Sequence, residues 1–183
     1  MKKCSYLANR GDGTYLFIHD FDGLNWGKVS KLKVGEGDNF KGWSWHNSTA
    51  SYIARLDGDT NLYIRTFDGV TFGKHKEIKV AKNDNWRGWS WDGKTASYIA
   101  EMGGVTNLYT RSFDGETFGT PKEIKVSGSD NWKAWCWDGK TASYVAEIES
   151  GIKLFIRTFD GTNFGPYQEL FVPSSGMRGW NWQ

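Results

Sequence analysis

The chain has 183 residues and a formal net charge of +2, from 23 lysines and arginines against 21 aspartates and glutamates. Its lysines are spread rather than clustered, so nucleic acid is not implied as a partner. Aromatic residues make up 16% of the chain, with 11 tryptophans, and 23 glycines stand against 3 prolines, a composition suited to a turn-rich sheet protein with an aromatic core.

The N-terminal MKKCSYLANR carries two lysines but no following apolar run of signal-peptide length. No segment is apolar enough for a transmembrane helix. These features predict no membrane insertion, and cytoplasmic residence by default or release by a non-classical route. Two cysteines, Cys4 and Cys136, are too few for a disulfide framework and are expected to be reduced. Ser5-Tyr6-Leu7-Ala8 then opens a repeat that runs to the end of the chain. Its F-D-G phenylalanines, Phe21, Phe67, Phe113 and Phe159, recur every 46 residues, a period typical of propellers, solenoids and arrays. The rows are 5–50, 51–96, 97–142 and 143–183, read as a single repeat domain. Rows two and three agree at 31 of 46 positions, so function is expected to use the same surface several times.

Each full row predicts four short strands, which in row two are SYIARL, NLYIRTF, KHKEIKV and NWRGWSW. Asp-Gly pairs separate them, at Asp57-Gly58, Asp68-Gly69 and Asp92-Gly93, and such pairs between apolar runs signal hairpins because glycine takes positive φ without steric cost. Each row is therefore an antiparallel meander. In NLYIRTF, Leu62 and Ile64 lie on one side and Tyr63, Arg65 and Phe67 on the other, so both faces of the sheet need neighbours. A ring of sheets supplies them. The chain ends on a Trp-rich run with no following SYIA run, whereas row one begins with SYLA and lacks a preceding Trp-rich run. Joining them completes one blade. The predicted fold is all-β: a β-propeller of four 46-residue, four-stranded blades, closed by pairing the C-terminal strand with the N-terminal row. A monomer is expected, and the same cut joined between chains would give a larger ring.

Two aromatic sets stand out. The W-x-W pairs, Trp43/Trp45, Trp89/Trp91, Trp135/Trp137 and Trp180/Trp182, lie on one strand face at spacing two and are expected to pack between blades, with ligand contact the alternative. Just before them comes a D-N-aromatic triplet: Asp38, Asn39 and Phe40; Asp84, Asn85 and Trp86; Asp130, Asn131 and Trp132. A carboxylate, a carboxamide and a ring suit a sugar, whose C–H face stacks while its hydroxyls take hydrogen bonds. An Asx turn leading into a core aromatic fits the same letters. Row four has Ser175, Gly176 and Met177 there, which predicts three similar sites and an altered fourth. Glu101, on the loop expected at the same end of its blade, is a further candidate ligand contact. LDGDTN at 56–61 has calcium-like oxygen spacing but lacks the rest of a calcium loop, so no metal or cofactor is expected. His19, His46 and His75 fall at three different row positions with no nucleophile spaced beside them, and Asp22, Asp68, Asp114 and Asp160 each precede a turn glycine, so an enzyme is not expected.

The D-N-W loop resembles that of tachylectin-like propeller lectins, and the W-D-G at Trp91-Asp92-Gly93 and Trp137-Asp138-Gly139 resembles the C-W-D-G of fungal and bacterial fucose-binding propeller lectins. The likeness covers three to five residues per row, and it implies a β-propeller lectin that binds sugar without specifying which. The expected function is multivalent binding of glycans, as neutral sugars, since repeated weak sites gain avidity on a glycan surface. The alternative is a propeller scaffold for protein–protein interaction.

Overall fold

The computed structural model describes residues 2–22, 24–36, 40–56, 59–82, 85–102, 105–126, 131–172 and 177–182. These residues form four antiparallel four-stranded sheets and no helix. Blade one is β4 (Phe40–His46), β5 (Thr49–Leu56), β6 (Asp59–Phe67) and β7 (Phe72–Lys82). Blade two is β8 (Asn85–Trp91), β9 (Thr95–Met102), β10 (Val105–Ser112) and β11 (Lys122–Lys125). Blade three is β12 (Asn131–Trp137), β13 (Thr141–Ile148), β14 (Gly151–Phe159) and β15 (Phe164–Phe171). Blade four takes β16 (Met177–Trp182) from the C-terminus and β1 (Lys2–Asn9), β2 (Thr14–Phe21) and β3 (Trp26–Gly35) from the N-terminus. There Tyr6 pairs with Trp180 and Cys4 with Trp182, so the first row and the last run complete one sheet. The predicted four-blade propeller is the observed fold.

The Trp-rich strands β4, β8, β12 and β16 are innermost. Each touches the next around the ring, and β4 also meets β12, and β8 meets β16, across the axis. Small residues permit this approach. A Cβ on Gly42, Gly88 or Gly179 would come within 2.7 Å of the Cβ of Trp89, Trp135 or Trp43 on the following blade. Blade three carries Ala134, fully buried, in the same place.

Between blades, an aliphatic face meets an aromatic one. Ile53 and Leu62 of blade one pack with Trp86, Trp89 and Tyr98 of blade two, and Ile99 and Leu108 pack with Trp132, Trp135 and Tyr144 of blade three. Both sheet faces are thus core, as the two-sided pattern of NLYIRTF requires. The first tryptophan of each pair also latches the ring: Trp43, Trp89, Trp135 and Trp180 donate their indole N–H to Ser5, Ser51, Ser97 and Ser143 of the preceding blade, at 2.8, 2.8, 2.8 and 2.7 Å. The F-D-G phenylalanines seal the turn end of each blade, Phe67 stacked on Phe72 at 4.2 Å and Phe113 on Phe118 at 4.1 Å.

Candidate functional site

The two ends of the axis differ in chemistry. At one end the innermost strands begin. Asp38, Asn39, Asp84 and Asp130 lie outside the described residues. Strand register sets the predicted Asn85 opposite the predicted Glu101 in blade two, and in blade three sets the predicted Asn131 opposite Glu147, which is not among the predicted ligand contacts. In blade one Phe40 pairs with Ala54, and its ring is half-buried, tilted on Tyr52 at 5.3 Å.

Trp86 and Trp132 do not offer a face to a sugar. Of the two readings their letters allow, a ring stacked on a sugar or a core aromatic behind an Asx turn, the burial fits the second: they are 3% and 4% exposed. Trp86 stacks on Tyr98 at 3.7 Å and Trp132 on Tyr144 at 3.9 Å. A bulge explains the difference. The register slips between Trp86 and Gly88 and between Trp132 and Ala134, so Arg87 and Lys133 are the extra residues. An extra residue restores both flanking aromatics to one face, and Trp86 joins Trp89 in the interblade core at 6.2 Å. Blade one slips at Lys41, and blade four at Arg178, where Met177 replaces the aromatic and is fully buried. A basic residue occupies each of these four innermost-strand bulges, and Lys133 pairs with Glu147 at 2.8 Å.

At the other end the innermost strands finish, and a cavity of about 290 Å³ opens on the axis. Its walls are the second tryptophans, Trp45, Trp91, Trp137 and Trp182, all half-buried, with His46 at the end of β4 and Asp92 and Asp138 from the turns after β8 and β12. The middle residues of W-x-W lie deeper, as Ser44, Ser90, Cys136 and Asn181, each buried. Ser44 accepts from the Trp91 N–H at 3.0 Å and donates to the Trp91 carbonyl at 3.1 Å, and Ser90 does the same with Trp137. Cys136 repeats the pattern with Trp182, at 3.4 and 3.9 Å. Burial pushes its thiol up to about 11, and that of Cys4 to about 12, so neither is a thiolate nucleophile near neutral pH.

The turn role expected of the F-D-G aspartates is seen directly. Asp68 Oδ1 accepts from the N–H groups of Val70 and Thr71 at 2.8 and 2.6 Å, and its Oδ2 accepts from the Thr71 hydroxyl at 2.7 Å. Asp114 is bonded alike to Glu116 and Thr117. The histidines are scattered: His19 is buried against Tyr6, while His46 and His75 are exposed on β4 and β7. Reading the sequence missed the axial cavity. Its signal was the one letter of W-x-W that varies, Ser, Ser, Cys and Asn, in an otherwise constant run.

No protein-family model matches the chain, and no curated protein is similar to it. Among solved structures, the crystal structure of a nidogen/laminin complex aligns at 12% identity and a TM-score of 0.51. That alignment covers 97% of this chain and 65% of the other. The crystal structure of human WBSCR16 aligns at 11% identity and a TM-score of 0.39, over 95% of this chain and 48% of that one. The first likeness is one of fold. The chain spans about two thirds of the length of the protein it matches there.

Proposed function

We propose that this propeller is a non-catalytic, monomeric carbohydrate-binding module whose sites lie on the rim where the innermost strands begin. The observation that carries the reading is the register: Asn85 opposite Glu101 and Asn131 opposite Glu147 repeat one hydroxyl-binding pair of positions on successive blades. The D-N triplets from Asp38, Asp84 and Asp130 complete three similar sites, and the buried Trp86 and Trp132 brace the rim from beneath. Neutral glycans fit the recurring carboxylates and carboxamides. Repetition makes weak single sites effective on clustered glycans. A glycan array followed by calorimetry tests this, with about three sites per chain expected. The combined change Asp38→Ala, Asp84→Ala and Asp130→Ala removes binding, and undiminished binding by that folded variant refutes the assignment.

A second reading, a scaffold for a protein partner, is favoured by the outer strand of blade three. Phe171 on β15 is 80% exposed, with Tyr167 also exposed, where the other outer strands carry Lys33, Lys79 and Lys125 at the position of Phe171. A blank glycan array combined with loss of a partner on Phe171→Lys would establish the scaffold instead.

A further inference from the structure

Two residues before the F-D-G phenylalanine, three blades carry an arginine and the fourth carries a histidine. Arg65, Arg111 and Arg157 each donate from Nε to a turn carbonyl of their own blade, that of Gly73, Gly119 or Gly165, at 2.9, 2.9 and 2.8 Å. Their guanidinium groups lie over Phe72, Phe118 and Phe164 at 4.8, 4.6 and 4.8 Å. In blade four His19 is buried between Tyr6 and Trp26, with ring centroids 5.5 and 5.1 Å away. Its Nε2 lies 3.3 Å from the Tyr6 hydroxyl, whereas Nδ1 is buried without a hydrogen-bond partner.

An imidazolium fits this pocket poorly. In either tautomer the second proton leaves an N–H at the unpartnered Nδ1, and it places a charge in the core. The titratable groups around the ring supply no anion on its face. On β1, burial pushes Cys4 and Tyr6 up to about 12, so both stay protonated. On β2, Asp20 is the next residue and projects to the other face of the sheet, where Lys3 pairs with it at 2.8 Å. Arg10 and, from β3, Lys31 lie over the neighbouring Phe17 ring and add positive charge. Blade three meets this face with apolar side chains, Ile156 and Leu170 among them. Burial therefore holds the imidazole below the usual histidine range, and the Gly27 carbonyl, counterpart of those the arginines use, offsets only part of that.

The residue sits at the seam of the ring. His19 pairs with Cys4 in β1, Cys4 pairs with Trp182 in β16, and Trp26 beside the imidazole packs edge-on against Trp180 at 5.6 Å. We propose that His19 makes closure of the ring acid-sensitive: its protonation loosens blade four and the β1–β16 pairing, while the three arginine-bearing blades keep their hold. The sign follows from the lowered imidazole. Above the ordinary histidine value of about 6.5, folded and unfolded chains both carry it neutral. As pH falls below that value the unfolded chain takes up the proton first, so the closed ring loses stability until the folded imidazole is protonated too. The device does not depend on the sugar rim.

The test is hydrogen exchange of the full chain read by mass spectrometry at pH 7 and pH 5, corrected for the intrinsic exchange rates. Amides of β1 and β16 should lose protection several-fold at pH 5 while those of β5 and β9 keep theirs. His19→Arg installs the residue of the other three blades, and His19→Gln removes the charge change without adding a cation. Either variant should hold β1 and β16 protected equally at both pH values, and the native chain should lose urea stability between pH 7 and pH 5 relative to both. Equal protection of β1 and β16 at the two pH values in the native chain, an equal loss in all four blades, or the same loss in the folded His19→Gln variant overturns the proposal.

Discussion

Trp86 illustrates how a single extra residue reassigns a side chain. Its place in the D-N-W triplet fits a sugar-stacking ring as well as a core aromatic. With Arg87 bulged out of β8, it belongs to the core, flat against Tyr98 and in line with Tyr109 beyond. Its truncation is therefore a stability experiment. Trp86→Ala should cost about 3–5 kcal/mol, because the surrounding blades cannot close over the void. Urea denaturation checks this. An unfolding free energy within about 0.5 kcal/mol of the native chain's would mean that the ring is not a packing element. The same logic separates the two members of each W-x-W pair: Trp89 is sealed and hydrogen-bonded to Ser51, while Trp91 is half-buried at the axial mouth with its N–H on the Phe113 carbonyl at 3.0 Å.

At the level of strands and turns, Asp68 and Asp114 cap the turns that lead into the outer strand. Hydrogen bonds from the turn's own N–H and hydroxyl groups lower each carboxyl to about 2. Unfolded, the same groups titrate at about 4. Between those values the unfolded chain binds more protons than the folded one, so the capping contribution is fully present above about pH 4 and is lost as pH falls through about 2. The stability advantage of the native chain over the Asp68→Ala, Asp114→Ala double variant should shrink across that window. Urea midpoints at pH 7, 4 and 2 measure it, and a constant difference down to pH 2 would assign the effect to something other than the carboxylates. These turns were legible in the sequence because Asp-Gly fixes both a cap and a positive φ, as at Gly69 (φ 98°) and Gly115 (φ 93°). Strand order was legible for the same reason, each run ending in a turn. The bulges were not, since an extra residue in a strand leaves no mark on composition and only pairing reveals it. The axial cavity was hidden too, because four residues 45 or 46 apart in sequence become neighbours only once the ring closes.

For the molecule as a whole, closure is the decisive feature. β16 lies between β1 and the axis, donating the Trp180 N–H to Ser143 on one side and presenting Gly179 to Trp43 on the other. Removing residues 178–183 deletes a quarter of the innermost ring and uncovers Tyr6 and Phe17. Differential scanning calorimetry should then show loss of the single cooperative transition, and a truncated chain that melts like the native one would contradict closure by this strand. The pairing of first and last segments also bears on biosynthesis. Three blades are contiguous in the chain and can form as they leave the ribosome, but β1 to β3 must wait for β16 to be translated. Until then the nascent protein carries an open strand edge on β1, the kind of surface that invites mispairing. Closure of this ring thus waits on one late docking event, that of β16 on β1, and the interval before it is when a chaperone matters most.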